Sequence, residues 1–160
     1  MAKVRPIPGL AANEPYASAA AKVVAVRARE LADHSRDVLD LADIERLHDM
    51  RVATRRLRAA LEVFEPCFEA ETWAAALADV KELADVLGER RDRDVSIVAL
   101  EEFAVELPAP DRPGVASLVE RLRRERREAN EALVPYLGEE RMAGLHERLS
   151  ELVAAVAVPA

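Results

Sequence analysis

His48-Asp49-Met50-Arg51-Val52-Ala53-Thr54-Arg55-Arg56-Leu57-Arg58-Ala59-Ala60-Leu61 separates, when wound as a helix, into a cationic stripe and an apolar one. At about 100° per residue, His48, Arg51, Arg55 and Arg58 fall within an arc of roughly 80°, and Glu62 is the only acid to join them one turn later. Met50, Ala53, Leu57, Leu61 and Phe64 occupy the opposite side. A solvated helix face ordinarily mixes both signs three and four residues apart, because such pairs stabilise it. A stripe of like charge repels itself. The pattern therefore reads as a helix docked on a core by one face, with the other face meeting a counter-anion supplied by a partner carboxylate or a ligand.

Working outward, the chain divides into about five helical segments parted by proline-containing breaks. The first is predicted from near Glu14 to about Leu39, with Asn13 as its cap and Pro15 in the first turn, where a missing N–H costs nothing. Asp43 caps the second, which carries the stripe and stops before Pro66. Thr72 is placed as the cap of a long third helix reaching Glu106, with Gly88 inside it as a kink or a point of close helix approach. Pro108, Pro110, Pro113 and Gly114 form a loop; the fourth helix runs from there to Pro135 and the fifth from about Glu139 to Ala155. With aromatics at only 4% and five glycines in 160 residues, the composition favours helices over sheets. The expected fold is all-α, an antiparallel helical bundle of four to five helices. It forms one domain over residues 13–157 behind a flexible segment, 1–12.

The formal charge of −7 argues against a general nucleic-acid binder, whose footprint is basic. The distribution of charge matters more than its sum. Arg46, Arg51, Arg55, Arg56 and Arg58 crowd the second helix, whereas the arginines of the run from Arg121 to Arg127 spread around their helix and read as a solvated face. No apolar run approaches the ~18 residues of a membrane span and the start lacks a secretory signal, so a cytoplasmic protein is expected. Cys67 stands alone and reads as an inert thiol, and His34 and His146 lack metal-ligating company.

On the third helix Val80, Leu83, Leu87, Ile97 and Val98 mark the buried face, and Arg90, Arg91 and Asp94 project within the same arc. Buried charges must be paired, since an orphan costs several kcal/mol. Asp92 and Asp94 are accordingly expected to brace arginines of the second helix, Arg55 or Arg56, so that the remaining guanidinium groups point at the anion. A rival reading makes Glu89, Asp92 and Asp94 a metal-binding cluster, but the flanking arginines compete for the same oxygens.

The first stretch resembles the CHAD domain, the conserved histidine α-helical domain of bacteria, archaea and some plants, with its signature His-x-Met-Arg-Val-x-x-Arg-Arg-Leu-Arg filled at every position. Leu87-Gly88-Glu89-Arg90-Arg91-Asp92-Arg93-Asp94-Val95 is similar to the family's second signature, Leu-Gly-x-x-Arg-Asp-x-Asp-Val. The resemblance continues more weakly through Arg127-x-Ala129 and Arg141. It implies binding of inorganic polyphosphate by a receptor that brings proteins to polyphosphate granules. The site residues it points to are His48, Arg51, Arg55, Arg56, Arg58, Lys81, which matches a basic position of the family, and Arg91. Lys81 has Asp85 four residues on as an alternative partner. Family members commonly carry two such helical halves and only the first is seen in these residues, from which a homodimer that rebuilds the second basic wall is expected.

The residue types agree with a polyanion ligand, because a row of arginines can grip successive phosphates bidentately. Catalytic parts are missing: there is no Gly-rich phosphate loop, no Gly-x-Ser-x-Gly elbow and no zinc pattern. The expectation is a non-enzymatic module with no cofactor and no metal. An enzyme or accessory subunit acting on polyphosphate or triphosphate, and a structural helical module whose arginines serve internal ion pairs, stand as the alternatives.

Overall fold

The computed structural model describes residues 3–156; the expected domain edge at 157, and the first two residues of the segment expected to be flexible, lie outside the described residues. Five helices follow one another: α1 (Tyr16–Asp33), α2 (Ile44–Val63), α3 (Ala70–Glu106), α4 (Arg112–Leu137) and α5 (Glu139–Val156). Short 3-10 turns, Glu65–Cys67 and Ala109–Asp111, join α2 to α3 and α3 to α4. Among the described residues there is no strand, so the chain is an all-α bundle.

Helices α2, α4 and α5 each run antiparallel to α3, as side-chain bonds along the pairs show. Trp73 Nε1 donates to the Leu61 carbonyl at 2.8 Å near one end of the α2–α3 pair, and Arg91 Nη1 donates to the Ile44 carbonyl at 3.4 Å near the other. Helix α4 returns along α3, bringing Arg123 within 2.6 Å of Glu101 and Asn130 to Arg90. Helix α5 returns along α3 as well, with Arg141 on Glu82 and Arg148 on Asp79. Leu31 of α1, Leu57 of α2, Leu83 of α3, Leu133 of α4 and Leu149 of α5 meet in one buried cluster. Burying each such side chain stabilises by about 1.5–3 kcal/mol.

Local chemistry explains the boundaries, including four that differ from the sequence expectation. Asp43 caps α2 as predicted, its carboxylate accepting from the Glu45 N–H. Helix α1 begins after Pro15 with no side-chain cap from Asn13, and it ends at Asp33, short of Leu39. There Ser35 Oγ bonds the Ala32 carbonyl, Asp37 takes a left-handed φ of 55°, and Val38 turns into the core. The cap of α3 is Glu69, whose carboxylate accepts from the Glu71 and Thr72 N–H groups, so Thr72 sits in the first turn. Helix α4 passes through Pro135, which removes one hydrogen bond two residues from the end, while Tyr136 and Leu137 pack on the core and hold the last turn.

The described residues ahead of α1 form no helix or strand but are tied to it. The Arg5 N–H donates to Glu30 Oε1 at 2.7 Å, and Lys22 Nζ donates to the Gly9 carbonyl at 2.6 Å. Glu30 itself is buried and pairs with Arg27 at 2.6 Å. Burial pushes its carboxyl up, yet the Arg27 hydrogen bond, the Arg5 N–H and the fields of Arg27 and Arg56 together hold it below its ordinary value of 4.5. A depressed folded-state value means that Glu30 contributes stability above about pH 4.5 and loses it as pH falls through the folded-state value. Chemical denaturation at pH 6 and pH 3.5 should show a loss of stability on acidification that is smaller in Glu30→Gln. Equal losses in the two proteins would remove Glu30 from the acid response.

Candidate phosphate-binding groove

Arg51, Arg55 and Arg58 follow one another along the outer flank of α2, as their spacing dictates. With Ala84, Asp85, Gly88, Glu89 and Asp92 of α3 they line an open groove of about 520 Å³. One wall is therefore cationic and the other carries three carboxylates, with Gly88 between them. Arg58 is engaged, donating to Glu62 at 2.9 Å. Among the described residues neither Arg51 nor Arg55 makes an ion pair or side-chain hydrogen bond, even though Asp85, Glu89 and Asp92 line the same groove.

Gly88 serves neither of its expected purposes. Helix α3 runs through it unbroken, and a Cβ built there would meet nothing within 4 Å, so no neighbouring helix needs its absence. What the glycine does is keep the groove open. Gly88→Ala should raise thermal stability by about 1 kcal/mol, since alanine is the better helix former and clashes with nothing. Gly88→Leu should keep the fold and weaken any ligand seated there. A destabilised alanine variant in a melting experiment would contradict the open-space reading.

The other expected site residues do not line this groove. Lys81 approaches Glu62 at 3.7 Å, not Asp85, because the antiparallel pairing brings the end of α2 beside it. Glu62 thus collects Arg58 and Lys81, and the Arg58 hydrogen bond, followed by the two cationic fields, holds its carboxyl below the ordinary value against burial. Arg56 faces α1, where its field acts on Glu30. Arg91 is half-buried beneath the first turn of α2 on the Ile44 carbonyl. His48 stands one turn before Arg51, at the end of the row.

Beside His48 the helix places Glu45 and Asp49, and one ligand atom from each of the three lies within 4.8 Å of the others. This donor set could meet a cation, although the sequence reading assigned His48 to the arginines and expected no metal. The signal was present in the i, i+3, i+4 spacing. In its first turn Glu45 also complements the helix dipole.

Asp94 corrects the expected bracing. It is buried and pairs with Arg90 at 3.2 Å and Arg126 at 3.5 Å, with no α2 arginine. Asn130 accepts from Arg90 Nη1 and donates to the Leu39 carbonyl at 3.1 Å, so the network stitches α3 to α4 and to the α1–α2 connection. Burial lowers the Arg90 pKa from its ordinary value, opposed by the nearby Asp94 charge and its hydrogen bond. Asp92 is exposed on the groove wall and braces no α2 arginine among the described residues. Arg126 and Asn130 were missed. Arg126 belonged to a run taken as a solvated face, a reading that fits Arg121 and Arg123 with their exposed acidic partners but not Arg126.

An all-α module with an arginine row along a surface groove is the class that fold and site define. The family model for the CHAD domain matches residues 22–160, and the chain belongs to that family. No curated protein matches it significantly. Among the described residues no helix is long and apolar enough to cross a membrane.

Proposed function

We propose that this chain binds inorganic polyphosphate in the groove between α2 and α3, as a non-enzymatic module that works in the cytoplasm and can bring an attached or associated protein to polyphosphate granules. The observation that carries the reading is the pair Arg51 and Arg55, whose guanidinium groups line an open groove without ion-pair partners among the described residues. Guanidinium groups one helical turn apart can each take phosphate oxygens bidentately, and an extended polyanion supplies such oxygens at every unit. His48, Arg58 and Lys81 lengthen the row, while Arg56 and Arg91 act from behind it as supports of α2. The carboxylates opposite set the orientation, since the anion is repelled from α3 and drawn to α2.

Titration with polyphosphates of defined length at two salt concentrations tests the reading. Affinity should rise with chain length until the row is covered and should fall as salt increases, because each contact releases condensed counterions. Orthophosphate released during incubation with Mg²⁺ or Mn²⁺ would mark the polyphosphate-processing enzyme instead. An absence of binding at low salt would leave the purely structural reading.

A further inference from the structure

Trp73 and Arg91 of α3 bond carbonyls of α2, and Leu77, Val80 and Leu87, all buried, lie between them at steps of three, four and seven residues along the same helical arc, the seam toward α2. The same seam, continued at steps of three and four residues past Arg91, runs through Val95, Val98 and Val105. Helix α2 begins at Ile44, level with Arg91, so nothing in α2 covers the second half. Val95, Val98 and Val105 are 50%, 39% and 76% exposed. The stripe that fixes α2 thus extends for three further turns as an unoccupied helix seat.

We propose that this seat takes the same segment of a second copy of the chain, α3 against α3 in antiparallel sense about a two-fold axis near Val98. The seam is charged so as to favour its own reverse. Arg91 stands at the end nearer the bundle, whereas Glu102 lies in the seam and Glu106 beside it toward the tip. Antiparallel pairing brings the Arg91 end of each copy to the acidic end of the other, and it opposes the two helix dipoles, whereas parallel pairing would set acid on acid. A two-fold contact of this kind is closed and self-complementary. It joins apolar faces instead of arginine rows, which removes the repulsion that facing rows would carry. The groove, lined on α3 by residues 84–92, stays open.

Light scattering on the whole chain without polyphosphate tests the contact. The wild type should have twice the 17.6 kDa monomer mass at micromolar concentration. Val98→Glu should return it to the monomer with helical circular dichroism retained, and Val63→Glu, at a more exposed valine at the end of α2, should leave the dimer intact. Val98→Cys in a Cys67→Ser background should cross-link under mild oxidation, which reports on the axis even if Val98→Glu folds poorly. A monomeric wild type, or a dimer that survives Val98→Glu in a folded protein, overturns the proposal. Because no polyphosphate is present, these outcomes are independent of the ligand assignment.

Discussion

Replacing Arg51 and Arg55 together by alanine should weaken polyphosphate binding by more than ten-fold and leave the helical circular-dichroism spectrum unchanged. Neither guanidinium is engaged in an ion pair among the described residues, so their removal strands no carboxylate and the fold loses little. Their loss takes two of the three arginines from the groove wall, and the carboxylates of Asp85, Glu89 and Asp92 then dominate what remains. A charge-assisted contact contributes about 1.5–3 kcal/mol, so loss of two exceeds the 1.4 kcal/mol of a ten-fold change even after screening. The salt dependence should flatten as well, because fewer counterions are released. Arg121→Ala on the exposed face of α4 serves as the control and should bind like the wild type. A folded double variant of unchanged affinity would dismiss the groove.

Asp94→Ala should destabilise the protein by about 3–5 kcal/mol, the range found when one partner of a buried ion pair is removed. Asp94 is the carboxylate shared by Arg90 and Arg126, and Arg90 is fully buried. Arg126 can turn toward water, being 19% exposed, but Arg90 has no such path. For a domain of this size the loss corresponds to a fall in Tm of about 10 °C. Asp94→Ala combined with Arg90→Met should recover part of it, because the uncompensated charge is then gone and an apolar side chain fills the space. Thermal denaturation of the three proteins decides the matter: an Asp94→Ala variant that melts with the wild type would remove the network from the fold. Neither residue lines the groove, so polyphosphate affinity at a temperature where the variant is folded should be nearly unchanged.

The sequence by itself determined that α2 is a two-faced helix, that Asp43 starts it, that prolines part α2 from α3 and α3 from α4, and that Arg51, Arg55 and Arg58 share a flank. Each follows from interactions within a few residues: the 3.6-residue period, the reach of a capping carboxylate, the missing proline N–H. The need for Asp94 to be paired was legible too, because a charge inside an apolar arc cannot stay alone. Which arginines meet it was not, since Arg126 lies 32 positions away and reaches Asp94 only once α4 has returned along α3. The same holds for Lys81, which had Asp85 on its own helix and finds Glu62 on the next. Even local choices shifted where tertiary contacts outbid propensity: burial of Val38 ended α1 early, and core packing of Tyr136 and Leu137 carried α4 past Pro135. Spacing along a chain fixes the face a side chain occupies, and only the packing of whole helices fixes what that face meets.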